Sequence, residues 1–136
     1  MSDVTDAGPR PAGRRIGDTS SSPVDTQSLL ARCLGNLSFA LSLLAELEAT
    51  GADRVEEIAR FAARAQFAAA ADAAHALKGA VAIVGAEPLR QLAAQIEAAG
   101  RAGAGEQLGK LVQQLGDEMQ RCLEFIPAFR ANRQGC

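Results

Sequence analysis

Apolar side chains recur every three or four residues along most of this sequence, and no other feature constrains the fold as strongly. In the segment 67–84 the spacing is 3,4,3,4,3, which places the apolar residues on one stripe of an α-helix. That stripe consists of Phe67, Ala70, Ala74, Leu77, Val81 and Val84. No segment of the sequence alternates with the period of two that a half-buried β-strand requires. The sequence therefore predicts an all-α domain.

Capping residues and glycines set the expected bounds of the first three helices. Asp25 and Asn36 are good N-cap residues for a short first helix and for a longer second helix. The second helix is expected to end at Thr50 and Gly51, and a third helix is expected to begin near Asp53.

Glycines and prolines mark the bounds of the last three helices. Gly85 favours a left-handed stop for the helix over 67–84, and Pro88 fits the first turn of the next one. Glycines within 100–105 mark a further break, and Pro127 is the expected end of the sixth helix. Four of these helices are long enough to form an antiparallel four-helix bundle, with the short first helix as an extra N-terminal element.

Composition divides the chain into one domain and two tails. Residues 1–22 combine Pro, Gly, Ser and charged residues with almost no large apolar ones, which predicts a disordered N-terminal tail. Residues 24–130 carry the helical pattern, and residues 131–136 form a short C-terminal tail. A domain of this size can bury a core made of Leu, Ala, Ile and Val without Trp or Tyr.

Charge and cysteine usage exclude several classes of function. The net charge of −2 gives no general attraction to nucleic acid or to anionic membranes. The three cysteines, at positions 33, 122 and 136, show no CxxC or Cys/His metal spacing. The sequence has no run of 18 apolar residues and no apolar core of a signal peptide. These observations predict a cytoplasmic protein with neither a membrane segment nor a nucleic-acid partner.

His75 is the only histidine in the sequence and the main candidate for chemistry. It lies about 130° from the centre of the apolar stripe, so its ring should face solvent. Its helical neighbours Ala71, Gly79 and Ala82 have almost no side chain, which predicts a shallow, accessible depression around the ring. Lys78 lies one turn on, near enough for its ammonium to meet an anion on the imidazole. A glycine at position 79 destabilises the helix by about 1 kcal/mol relative to alanine. A need for clearance beside His75, so that a partner can approach, would explain why glycine is present there.

The chemistry expected of this site is nucleophilic. A lone helical histidine is more often incidental, but the outward direction, the small neighbours and Lys78 favour a chemical role. A neutral imidazole has a nitrogen lone pair that can attack an activated phosphoryl group. The sequence contains no GxxxxGK[ST] loop and no GxGxxG cradle, so it shows no means of using ATP. One histidine without further ligands in register predicts no metal site.

These residues also resemble the signature of histidine-containing phosphotransfer (HPt) domains. The match consists of HALKGA at 75–80, VGA at 84–86, Leu89, and Ile96 with Glu97. It departs from the family at Ala76, where Ser or Thr is common, and at Gln66, where an acidic residue is common. The resemblance covers about residues 25–130 and implies a helical bundle.

The resemblance implies a phosphocarrier that acts in a two-component phosphorelay. His75 would accept a phosphoryl group from an aspartyl phosphate of a response-regulator receiver domain, or from a sensor or hybrid histidine kinase. Mg²⁺ would be bound by the receiver, and the carrier itself would be a monomer that needs no cofactor and is not an enzyme. One alternative is a helical adaptor that docks a receiver or kinase without being phosphorylated. A weaker one is a homo-oligomeric scaffold, suggested by the Ala-rich helix surfaces.

Three further residues have two interpretations each. Phe39 and Leu43 lie off the core stripe of the second helix, where they either contact a neighbouring helix or form an exposed apolar ridge for partner docking. The former is the simpler expectation. Glu97 is expected to make a structural or capping contact rather than to act as a catalytic base.

Overall fold

The computed structural model describes residues 22–134, so the predicted N-terminal tail lies outside the described residues except for Ser22. The described part of the chain forms five helices and no strand, which confirms the all-α prediction over that range. The helices are α1 (Thr26–Arg32), α2 (Leu37–Ala63), α3 (Phe67–Ile83), α4 (Glu87–Ala102) and α5 (Gly105–Gln134). Within residues 22–134 no single helix is long and apolar enough to cross a membrane, although α1 and α2 taken together pass that test across a bend of 117°.

The four long helices enclose one apolar core. Helix α2 packs against α3 and α5, and α4 packs against the same two helices. The short helix α1 contacts α2. The predicted stripe of α3 faces the core, and only Phe67 at its start is half-buried. The largest fully buried side chains include Leu29, Leu44, Ile58, Leu77, Leu89, Ile96, Leu108, Leu115 and Ile126.

Helix α2 continues through Thr50 and Gly51, so the prediction of a break there is wrong. Gly51 is buried, and a Cβ at this position would lie 2.7 Å from the Sδ atom of Met119 on α5. The missing side chain therefore allows α5 to pack closely against α2. Thr50 donates its hydroxyl hydrogen to the carbonyl of Glu46 at 2.9 Å and so stays within the helical pattern. The predicted third helix is the second half of α2.

Pro127 lies inside α5, and the prediction that it ends this helix is also wrong. A proline inside a helix removes one hydrogen bond and costs about 3 kcal/mol, so packing must compensate. Phe129 is buried two residues later, and its ring stacks on that of Phe125 with the centroids 5.9 Å apart. Arg130 forms an ion pair with Glu48 of α2. Residues 131–134 of the predicted tail therefore continue the helix, and residues 135–136 lie outside the described part.

Helix α1 closes the C-terminal end of α3. Arg32 donates through Nη1 to the carbonyls of Ala82 and Ile83, at 2.8 and 3.0 Å, and these are groups that a helix end leaves without partners. The backbone N–H of Asp25 donates to the carbonyl of Gly85 at 2.8 Å. Gly85 has a φ of +75°, as predicted for a left-handed stop, and a Cβ there would lie 2.9 Å from the Asp25 carbonyl oxygen. The end of α3 is thus fixed by a segment 50 residues earlier in the chain.

The predicted N-caps are both confirmed. The Asp25 carboxylate accepts a hydrogen bond from the backbone N–H of Ser28 at 3.0 Å, and the Asn36 side chain accepts one from that of Phe39 at 3.0 Å. Each bond satisfies one of the free N–H groups at the start of its helix. Local sequence therefore fixes where α1 and α2 begin.

Candidate functional site

His75 lies in the middle of α3, on the side opposite the buried stripe. Its side chain is 64% exposed, which confirms the prediction that the ring faces solvent. The Nδ1 atom is 3.1 Å from the Oε2 atom of Glu97 on the neighbouring helix α4. One edge of the ring is therefore held by a carboxylate while the rest of it is open.

Glu97 bonds to both His75 and Lys78, the two residues that sequence analysis identified as candidates for chemistry. Its Oε1 atom accepts a hydrogen bond from Lys78 Nζ at 2.9 Å, while Oε2 faces His75. The Lys78 ammonium, and to a smaller extent the His75 ring, hold the pKa of the Glu97 carboxyl below its usual value, against an opposing effect of burial. The carboxylate is thus ionised at neutral pH and can only accept hydrogen bonds.

An ionised Glu97 decides which tautomer of His75 is favoured. A carboxylate beside Nδ1 requires a proton on that nitrogen, so the tautomer follows from the hydrogen-bond partner. In the neutral ring the lone pair then lies on Nε2, the nitrogen on the far side from Nδ1. The site therefore presents a nucleophilic nitrogen to solvent.

Arg101 and Asp72 extend this group of charges. Arg101 Nη2 lies 3.5 Å from Glu97 Oε2, and Arg101 Nη1 lies 2.9 Å from Asp72 Oδ1 on α3. We call these five residues, His75 with Lys78, Glu97, Arg101 and Asp72, the His75 cluster. Apart from the ring, the two carboxylates and the two cations of this cluster balance in charge.

The close approach of α3 and α4 depends on Gly100. A Cβ at this buried position would lie 2.8 Å from the Phe67 carbonyl oxygen and 3.0 Å from the Ala71 Cβ. Small residues on both helices thus let the backbones come together, and Glu97, one turn before Gly100, can reach across to α3. Ala71 is fully buried at this contact. The prediction that it lines an accessible depression beside His75 is therefore wrong, because α4 covers it.

The surface on the other side of His75 is open. Gly79 is exposed, and a Cβ built on it would meet no atom within 4 Å apart from its chain neighbours and the backbone of its own helix. Ala82 is half-buried, and its carbonyl is occupied by Arg32. The clearance expected at Gly79 is thus present in the structure, whereas its use by a partner stays a prediction.

Apolar side chains lie exposed along the α2–α3 side of the molecule. Phe39 is 52% exposed, which favours the exposed-ridge interpretation for this residue, whereas Leu43 is half-buried and packs against the core. Leu43 and Ile83 line the same shallow depression, and Ile83 is 53% exposed. We call Phe39, Leu43 and Ile83 the apolar patch. Ile83 is eight residues from His75, or about 12 Å along α3.

Sequence reasoning missed the contributions of Glu97, Arg101 and Asp72. Glu97 was expected to make a structural or capping contact, and that expectation did not identify His75 and Lys78, to which its side chain bonds. Its place in the spaced motif was the available signal, because a resemblance that includes a residue 22 positions away implies a neighbouring helix. Arg101 and Asp72 carry no such signal, since their pairing depends on how α4 packs. In residues 22–134 no group of three or more His, Cys, Asp or Glu side chains is arranged to bind a metal ion.

Comparison with protein families finds a match for most of the helical part of this chain. The family model described as Hpt domain matches residues 42–125, more than half of the 136-residue chain. The matched segment includes all five residues of the His75 cluster. No curated protein and no solved structure matches the chain.

Proposed function

Because the chain belongs to the Hpt domain family, whose members carry phosphoryl groups in two-component phosphorelays, we propose that His75 is its phosphoryl acceptor. Members of this family are carriers rather than catalysts, and they interact with receiver domains and histidine kinases. The observation that carries the proposal is the exposed ring whose Nδ1 is paired with Glu97 at 3.1 Å. It leaves Nε2 free to react.

The transfer step follows from this arrangement. The Nε2 lone pair attacks the phosphorus of an aspartyl phosphate on a receiver domain. The N–P bond forms, the P–O bond to the receiver's aspartate breaks, and the aspartate leaves as a carboxylate. The proton on Nδ1 stays there, stabilised by Glu97, so the ring becomes an imidazolium that carries the phosphoryl group. The same charged ring is a good leaving group, which makes the reverse transfer accessible as well.

Lys78 supplies positive charge to the transferred group. It lies one turn from His75, and its ammonium reaches the phosphoryl oxygens by exchanging Glu97 for them. Phosphoryl transfer depends mainly on in-line positioning and charge stabilisation, and the receiver contributes its own carboxylates and Mg²⁺. Lys78 is therefore the contribution that this chain makes to charge stabilisation.

Docking of the receiver uses the open side of α3. Gly79 gives clearance beside the ring. Ala82, one turn after Gly79, presents a small side chain. Phe39 and Leu43 of the apolar patch provide apolar contact area on the same side of the bundle. Ala71 has no part in this surface because it is buried. We also propose that the four long helices are antiparallel, that the protein is a monomer and that it is cytoplasmic.

Phosphoryl transfer from a receiver tests the proposal. The full chain is mixed with a receiver domain that carries labelled aspartyl phosphate, drawn from the receivers of the same host. We expect label on the carrier that is lost in acid and stable in alkali, and no label on the His75→Gln variant. Binding without any transfer in the wild type would overturn the proposal and favour the adaptor interpretation.

A further inference from the structure

One carboxylate in the His75 cluster serves three partners. Glu97 accepts from Lys78 through Oε1, and its Oε2 lies near both His75 Nδ1 and the guanidinium of Arg101. Lys78 is the closer cation, at 2.9 Å, and Arg101 is the more distant one, at 3.5 Å. The Glu97 side chain is 19% exposed, less than that of any of its three partners. It therefore has two cations available at unequal distances.

Loading His75 changes which of these contacts can persist. A phosphoryl group on Nε2 adds nearly two negative charges beside the ring, and Lys78 is the cation one turn away from it. When Lys78 moves to the phosphoryl oxygens, Glu97 loses its nearest cation and faces a new anion. At the same moment its hydrogen bond to Nδ1 matters most, because the loaded ring is an imidazolium.

Arg101 is placed to replace Lys78. Its guanidinium presents two nitrogens on one edge, and they lie between two carboxylates, with Nη1 on Asp72 and Nη2 towards Glu97. The pair with Asp72 is exposed on both sides, and exposed ion pairs are weak and readily exchanged. Arg101 Nη2 is already 3.5 Å from Glu97 Oε2, so release of Nη1 from Asp72 leaves the guanidinium beside Glu97.

We infer that Arg101 is a positioning residue that takes over Glu97 when the phosphoryl group on His75 draws Lys78 away. Its position between Asp72 and Glu97, on the helix that supplies Glu97, is the juxtaposition that carries this inference. The inference rests on the proposed function, since it concerns the loaded form of His75. Arg101 keeps the Glu97 carboxylate against Nδ1–H, and the imidazolium form remains favoured.

The sole histidine of the sequence makes this exchange measurable. Its ring proton signals can be followed by NMR in the full chain without overlap from another imidazole. Potassium phosphoramidate, a small phosphoryl donor, loads the ring without any partner protein, and ³¹P NMR identifies the N–P product. The ring pKa is then measured in the unloaded and the loaded protein, and the readout is the difference between them. Through-space effects of a fixed charge act on both forms and largely cancel in this difference.

The Arg101→Ala variant should lower the difference, loaded minus unloaded, by roughly half a pKa unit relative to wild type, as expected for losing an exposed ion pair. Arg101→Lys should restore part of it, because a lysine supplies the charge without the two-nitrogen edge. Asp72→Asn is the matched control, since it breaks the same link between α3 and α4 but leaves Arg101 free for Glu97. Its difference should be no lower than that of wild type.

Three outcomes would overturn the inference. They are an Arg101→Ala difference equal to that of wild type, one that is higher than wild type, and equal losses in the Arg101→Ala and Asp72→Asn variants. The last result would assign Arg101 to a structural link alone. Failure of the proposed function is recognised separately: the wild type then takes no phosphoryl group from any receiver or kinase of its host, whether or not phosphoramidate loads the ring. A wild type whose His75 is loaded neither by phosphoramidate nor by any phosphorylated receiver of its host overturns both proposals.

Discussion

Two glycines flank the histidine site, and they differ in what surrounds them. A Cβ on Gly100 of α4 would lie 2.8 Å from the Phe67 carbonyl oxygen, whereas a Cβ on Gly79 of α3 would meet nothing within 4 Å. Gly100 lets two helices of the same chain come together and so brings Glu97 to His75. Gly79 leaves space that no part of the described chain fills. One helix of this molecule is thus shaped on one side by its neighbour and on the other side, we propose, by a partner.

The largest effect on stability is expected at Gly100, on the side of α3 that α4 covers. Gly100→Ala should lower the free energy of unfolding by about 1–3 kcal/mol, because the new methyl group meets backbone that cannot move aside cheaply. Urea denaturation measures this change. Gly109→Ala on α5 is the control, since a Cβ there meets nothing within 4 Å and the substitution should stabilise by up to about 1 kcal/mol. A Gly100→Ala variant as stable as wild type would remove the distinction between the two sides.

The open side should respond in function rather than in stability. Gly79→Leu should keep the helical circular-dichroism signal and lose no stability, since leucine is a better helix former than glycine and the space is empty. Transfer from a phosphorylated receiver should slow by roughly tenfold or more, because a displaced partner loses its in-line geometry. Loading by phosphoramidate, which needs little room, should proceed at the wild-type rate. Equal transfer rates for the variant and the wild type would reject the role of Gly79 in docking.

The smallest effect concerns Glu97, the carboxylate that the close packing of α3 and α4 brings to His75. The Lys78 hydrogen bond holds the pKa of Glu97 below its ordinary value of 4.5 in the folded chain. A carboxyl group whose pKa falls on folding stabilises the folded state above its unfolded-state pKa, and this contribution is lost as the pH drops through the folded-state pKa. The wild type should therefore lose more stability than Glu97→Gln between about pH 6 and about pH 3.

Urea denaturation at several pH values checks this expectation. The advantage of wild type over Glu97→Gln should shrink steadily as the solution becomes more acidic. Glu56→Gln, at an exposed position on α2, serves as the reference for an ordinary surface carboxyl group. If the two variants show the same dependence on pH, the contact of Glu97 with Lys78 contributes nothing to folding.

The features predicted from sequence are those that local geometry determines. The direction of His75, the caps at Asp25 and Asn36 and the left-handed Gly85 depend on residues within a few positions of each other. Helical periodicity and capping chemistry describe such neighbourhoods well. The predicted fold class follows from the same periodicity.

The features that sequence reasoning missed depend on contacts between distant segments. Gly51 was expected to end a helix, but its role is to accommodate Met119, and nothing near position 51 signals that partner. Pro127 stays helical because Phe129 is buried and Arg130 reaches Glu48. Ala71 was assigned to the surface since a single helix gives no indication of which neighbour covers it. Local propensity is a weak guide wherever packing decides.

The exposure of the His75 ring would affect the lifetime of a phosphoryl group attached to it. With 64% of its side chain exposed, the ring has no lid or pocket within the described residues to exclude water from an attached phosphoryl group. If His75 carries a phosphoryl group as proposed, the lifetime of the N–P bond would depend on its intrinsic rate of hydrolysis and on the acidity of the surrounding solution. On a carrier of the kind proposed, a phosphoryl group that reaches no partner would be lost by hydrolysis, at a rate set by the solution rather than by the fold.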